Sequence, residues 1–218
     1  MTTPISPLLK KGGLAQVDAD NGQLLRLINF QFNPETFSRS LQVLRVESGD
    51  SNRAEALRLK GPAAETINLE VEFDTADQRE FPQENPDAVE FGLYPQLAAL
   101  ETLIYPSSSQ LQANHRLAQA GTLEITPMQA PLLLFIWGKQ RILPVNLTEF
   151  SVTEEAFDSF LNPVRAKVSL GMRVLSIFDI PVESYGGGLF MSYLEQKEQF
   201  ATKIPRGSFS ISGIGGLP

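Results

Sequence analysis

Asp18-Ala19-Asp20-Asn21-Gly22 sets oxygen donors two residues apart ahead of a glycine, which is how a calcium-binding loop begins. In such a loop the glycine comes sixth and a glutamate twelfth. Here the glycine is one residue early and Asn29 stands at the twelfth position. A two-residue hairpin turn at Asn21-Gly22 explains the same residues, since both types tolerate positive φ. Asp74, Asp77 and Glu80 could gather on a helical turn around a hard cation. They lack a fourth ligand and run into a segment with Pro82 and Pro86, so a solvated loop is expected. Glu154, Glu155 and Asp158 suggest the paired carboxylates of glycoside hydrolysis. On an extended strand, however, neighbouring side chains point to opposite faces, and a hairpin rim is expected. His115 is the one histidine and has no Ser or Asp at motif spacing; it reads as a surface residue before the next strand. Trp137 lies inside an apolar run and reads as core.

What is missing narrows the chemistry further. The chain has no cysteine, which removes thiolate nucleophiles, disulfides and Cys-bound metals. It has no nucleophile elbow, phosphate loop or dinucleotide fingerprint. The glycines at 186–188, and Gly213, Gly215 and Gly216, lack the preceding strand and following helix of a phosphate cradle. The expectation is a protein that is not an enzyme, with no cofactor and no metal.

The formal net charge of −7 is concentrated. Glu65, Glu70, Glu72, Asp74, Asp77, Glu80, Glu84, Asp87 and Glu90 are accompanied only by Arg79, so this stretch alone is strongly acidic. Nucleic-acid binding needs a dense basic face, which this sequence does not offer. No apolar run approaches the ~18 residues of a membrane span. The opening MTTPISPLLKK reverses the order of a secretory signal. A cytosolic chain with no nucleic-acid partner and no direct membrane insertion is expected.

The elements that would carry these residues are mostly strands. Ile67 to Asp74 alternates apolar and polar without a fault, and Val164 to Val174 does the same over a longer span. In the second, Arg165, Lys167 and Arg173 share the polar side, which predicts a long strand with a basic face. Leu24 to Phe32 follows the Asn21-Gly22 turn. Its inward set passes from Leu25 and Leu27 to Ile28, Phe30 and Phe32, which predicts a bulge. Asn33-Pro34-Glu35 turns the chain into a strand over 36–46 with Phe37, Leu41 and Val43 apolar. Pro131 to Trp137 is apolar throughout and predicts a strand buried on both faces. A strand over 141–157, slipping phase near Thr148-Glu149, and another from 163 to 176 complete a meander.

Helix signals are fewer. Pro95 opens a helix carrying Leu97, Leu100 and Ile104, and Pro106 stops it. A second helix is expected over 189–203, starting after Gly186-Gly187-Gly188. Residues 47–66 and 75–92 read as long loops, and RGSFSISGIGGLP as a tail that a partner would order. The domain division expected is 1–180 for a β domain and 181–218 for a C-terminal extension of helix and Gly-rich tail.

Two segments together carry a resemblance. One is Phe30-Gln31-Phe32-Asn33-Pro34-Glu35-Thr36-Phe37. The other is Pro131-Leu132-Leu133-Leu134-Phe135-Ile136-Trp137-Gly138, followed by Asn146 to Val152, Phe157-Asp158, and Asn162-Pro163-Val164-Arg165-Ala166-Lys167-Val168-Ser169-Leu170. In order and spacing, over roughly residues 14–178, the chain resembles the tube and baseplate proteins of contractile injection systems, the phage-tail-like particles of the antifeeding-prophage type. The resemblance rests on the turn Asn33, Pro34, Glu35 and on the strand residues Trp137, Gly138, Pro163 and Val164.

That resemblance implies a mainly β, tail-tube-like antiparallel β-sandwich or half-barrel with a flanking helix and a C-terminal helical extension. It also implies a structural subunit in a homo-hexameric ring at the baseplate end, initiating the inner tube or adapting it to the spike hub. Its partners would be the spike-hub protein, the inner-tube protein and other baseplate proteins, with assembly in the cytoplasm. Arg165, Lys167 and Arg173 would then lie on a face that lines the channel or a ring interface. Many relatives carry a C-terminal LysM module, and residues 180–218 show no such pattern. The competing expectation is a monomeric β-sandwich that binds carbohydrate or peptide through exposed aromatics.

Overall fold

The computed structural model describes residues 10–45, 58–121 and 130–204. Most of the expected 47–66 loop, and the Gly-rich tail from 205 onward, lie outside the described residues. The strands are Gly13–Val17 (β1), Leu24–Asn29 (β2), Phe37–Gln42 (β3), Ala64–Asp74 (β4), Leu132–Ile136 (β5), Ile142–Phe157 (β6) and Pro163–Val174 (β7). They form one antiparallel sheet in the order β2-β1-β5-β6-β7-β4-β3. The helices are Ala76–Arg79 (α1), Pro86–Phe91 (α2), Tyr94–Glu101 (α3), Ser108–Gln119 (α4) and Tyr185–Ala201 (α5). The chain is mainly β, and no described helix is long and apolar enough to cross a membrane.

The faultless alternation of β4 becomes a face of Ile67, Leu69, Val71 and Phe73, all buried. Ala166, Val168, Leu170, Met172 and Val174 of β7 meet it in the same core. Fully burying an aliphatic or aromatic side chain contributes about 1.5–3 kcal/mol, so these strands dominate the fold. β6 is the strand that both halves share. β5 pairs with its first residues, Ile142 to Val145, and β7 with Val145 to Phe157. The expected phase slip is a register shift between Leu147 and Glu149; such a bulge bends the strand. The sheet curls accordingly, and Phe37 of β3 packs edge-on against Phe135 of β5 and against Trp137 just beyond it, at 6.2 and 5.2 Å. β5 is buried on both faces as expected. Leu133 and Phe135 enter the main core, while Leu132 and Leu134 join Ala15 and Val17 of β1.

Several expectations need correction. The Asn21-Gly22 turn is longer than two residues. Gly22 N–H donates to the Asp18 carbonyl at 2.9 Å, and Asp18 N–H to the Gln23 carbonyl at 2.9 Å. Gly22 supplies the positive φ, at 71°. The bulge in β2 falls at Leu25, between Leu24 and Arg26, and not after Leu27. Leu25, Leu27 and Phe32 are exposed, not inward; β2 is an edge strand among the described residues, and Phe32 lies in the link beyond it. Residues 75–92 hold α1 and α2 where a loop is expected. His115 sits on α4, which the apolar pattern does not reveal. α5 starts at Tyr185 and runs through the triple glycine instead of opening after it. Ser184 caps it by accepting from the Gly187 N–H at 3.1 Å.

Candidate functional site

The residues that invited chemistry do structural work. The Asp18 carboxylate accepts from the Asp20 and Asn21 N–H groups at 2.9 and 3.0 Å, capping its turn. Asp74 divides its oxygens between the Ala76 N–H at 2.7 Å and the Arg165 guanidinium at 2.8 Å. Glu155 pairs with Lys167 at 3.5 Å, while Glu154 lies opposite Ala166 in the register. His115 Nε2 lies 3.1 Å from Gln119 on the exposed side of α4. Trp137 is half-buried and stacked against Phe135 at 6.1 Å. These groups do not converge on a common point.

Three surfaces remain. The first is the polar face of β4, β7 and β6. Register places Glu72 opposite Lys167, Asp74 opposite Arg165 and Glu155 opposite Arg165. Arg165 bonds Asp74 and lies 3.6 Å from Glu72. The hydrogen-bonded Asp74 beside it holds its guanidinium above the ordinary value. Arg173 bonds Asp179 at 2.7 Å. Desolvation pushes the Asp179 carboxyl up, but Arg173 and the Ser176 donors outweigh it and hold it below the usual carboxylate value. The three basic residues are thus brought to one face and each is paired within the chain. The same strands add Glu70 and Glu149, so acids outnumber bases, and the basic face expected from β7 alone becomes a mixed, acid-rich one. Exposed pairs of this kind add little stability.

The second surface is the tip of the β6–β7 hairpin. Phe160 and Leu161 are 84% and 74% exposed there, although Leu161 adopts φ 65°. Asp158 builds the tip. Its carboxylate accepts from the Phe160 and Asn162 N–H groups at 2.8 and 3.0 Å, from the Asn162 amide at 3.2 Å and from Arg79 at 3.0 Å. Asn162 also donates to the Glu90 carbonyl at 3.0 Å, and Leu93 N–H to the Pro163 carbonyl at 2.9 Å. The Thr75 N–H donates to the Val164 carbonyl at 2.9 Å. The tip is thereby fastened to α1, α2 and the start of α3.

The third surface is the pair of sheet edges. Leu24, Leu25 and Leu27 are exposed along β2, as are Leu41 and Val43 on and just after β3. Among the described residues no strand pairs with the outer side of β2 or of β3. Between the two edges lies the link 30–36. Asn33 fixes it, accepting from the Gly12 N–H at 2.8 Å and donating to the Lys10 carbonyl at 2.9 Å. Pro34 is half-buried and Glu35 exposed. Gly138 turns β5 towards β6 at φ 73°. The edges and the apolar tip escape sequence reading. Phe160-Leu161 between the turn formers Asp158 and Asn162 is the one signal that could have pointed to an exposed apolar tip.

Residues 13–175 match the family model described as contractile injection system tube protein. No curated protein matches the chain. Among solved structures it is similar to a chain of the virion of a native gene transfer agent particle, at 9% identity and a TM-score of 0.30, covering 78% of this chain and 95% of that one. It is also similar to a chain of the tail of an empty gene transfer agent particle, computed with helical refinement and C6 symmetry. That match has 14% identity and a TM-score of 0.27, and covers 74% of this chain and 90% of that one.

Proposed function

Because the chain belongs to the contractile injection system tube protein family, we propose that it is a non-catalytic ring subunit at the baseplate end of the inner tube. In this reading six copies close a ring that initiates the tube or adapts it to the spike hub. The observation that carries it is the open sheet with two unlike apolar edges, β2 and β3. A free edge of this kind templates further pairing and is normally protected. Joining the β2 edge of one copy to the β3 edge of the next leaves no free edge once a ring closes. The hub, acting as template, would lower the cost of the first ring, and later rings would add to a formed rim.

The polar face carrying Arg165, Lys167 and Arg173 is assigned to the channel or to a ring interface. Its three basic side chains are each paired within the subunit, so the face can line water without demanding an acidic partner. Assembly takes place in the cytoplasm, with the spike-hub, inner-tube and other baseplate proteins as partners. The test is mass by light scattering, on the purified chain alone and after mixing with the spike-hub and tube proteins. A six-membered ring, or co-assembly only in the mixture, is the expected result. A chain that stays monomeric with both partners overturns the reading.

A further inference from the structure

Tyr185, Leu189, Tyr193 and Lys197 recur every fourth residue along α5 and form one stripe. Together they reach three parts of the sheet. The Tyr185 ring lies against Gly22 in the β1–β2 turn, so close that a Cβ on Gly22 would stand 2.6 Å from it. Leu189 packs on Ala15, Val17, Leu132 and Leu134 of β1 and β5. The Tyr193 hydroxyl donates to Glu65 of β4 at 3.0 Å, and Lys197 pairs with the same carboxylate at 3.0 Å. Glu65 is 3% exposed and also binds Arg39 of β3 at 2.7 Å. In between, α5 packs over β6, the middle strand.

Chain direction gives this crossing its meaning. The link 30–36 joins the end of β2 to the start of β3, so the two edges are held together at that end. There Gln31 exchanges two hydrogen bonds with the Asp74 backbone, and Phe37 packs on Phe135 and Trp137. At the other end stand the β1–β2 turn and the Glu65–Leu41 register pair of β4 and β3. This is where α5 ties down its first and last turns. The twelve steps from Tyr185 to Lys197 span about 18 Å of helix.

We propose that α5 is a brace that fixes the spread between the two edge strands, with Tyr193, Lys197 and Glu65 as its positioning residues. Building on the ring reading above, that spread sets how many copies close a ring. The family match ends at residue 175, ahead of the brace. The chain has no cysteine, so Leu24→Cys and Leu41→Cys give a clean pair of spin-label sites, one on each edge. Pulsed electron–electron resonance on the doubly labelled full chain should give one narrow distance. The double variant Tyr193→Phe with Lys197→Ala should widen it at least twofold, and Lys197→Arg in place of Lys197→Ala should restore it. Tyr185→Ala, at the opposite end of the helix, should widen it as well and serves if the first variant does not fold. Circular dichroism checks the fold of each. An unchanged width in folded variants overturns the brace. In mixtures with hub and tube proteins, native mass spectrometry should show one ring size for the parent and several for the variants. Uniform variant rings with an unchanged width sink the brace and leave the ring reading standing. A widened distance in a chain that forms no ring supports the brace and sinks the ring reading.

Discussion

Asp158 shows how much one side chain can arrange. Desolvation pushes its pKa up, but the backbone N–H groups of Asn162 and Phe160, the Asn162 amide and Arg79 together hold it below the ordinary 3.8. A carboxyl lowered in the folded state stabilises the fold above its unfolded value, and that contribution is lost as pH falls through the folded value. Asp158→Asn keeps an acceptor for the two N–H groups and loses the charge that binds Arg79. We therefore expect a lower urea midpoint than the parent at pH 7, with the gap closing as the pH falls below about 4, where the parent's own carboxylate takes up its proton. Urea unfolding of both chains between pH 7 and 3 checks this. A gap that stays constant down to pH 3 would show that the carboxylate charge does not hold the tip. The consequence reaches beyond the residue, because this carboxylate sets the conformation that puts Phe160 and Leu161 into water.

At the scale of elements, α5 separates two adjacent glycines of the same sequence type. A Cβ on Gly187 would collide with the Pro181 carbonyl oxygen and stand 2.8 Å from the Val182 Cα, whereas around Gly188 there is open space. Helix propensity favours alanine at both positions by up to about 1 kcal/mol. At Gly187 the clash is with backbone, and overpacking of that kind costs about 1–3 kcal/mol. Gly187→Ala should therefore lower the unfolding free energy by about 1–2 kcal/mol, and Gly188→Ala should raise it by up to about 1 kcal/mol. Equilibrium urea unfolding compares them, and equal shifts would contradict the packing described. The same helix shows where sequence reading stops. Ile67–Asp74 and Val164–Val174 were legible because one face of each is buried, which forces strict alternation. The Thr148-Glu149 slip was legible because a bulge breaks that alternation. The start of α5 was not, since three glycines read as a breaker, while close packing against Pro181 and Val182 requires one of them, Gly187. α4 was not either. It buries no residue, and its signature is the Ser107–Gln110 capping box and not an apolar stripe. The ion pairing of the basic β7 face depends on which strands lie beside it, and that is a property of strand order.

The edges belong to the whole molecule, and strand order alone makes them edges. Leu27 of β2 and Leu41 of β3 look like core residues in sequence, yet they are 46% and 49% exposed because the sheet ends there. Two unlike edges permit two symmetries with different consequences. Edge to like edge gives a closed dimer, whereas β2 to β3 gives a head-to-tail chain that closes only when the angle per copy divides a full turn. Lysine on an edge strand blocks pairing at small cost to the subunit, since surface substitutions usually shift stability by no more than about 0.5 kcal/mol. Leu27→Lys and Leu41→Lys should each leave a folded chain that cannot form rings alone or with hub and tube proteins. Mixed with each other, they should form a one-to-one dimer, because each variant retains the edge that the other's intact edge requires. Analytical ultracentrifugation of the two chains separately and together reads this directly. A homodimer of either variant alone would mean that like edges pair. The subunit would then close on itself as a dimer, with no free rim left to grow a tube.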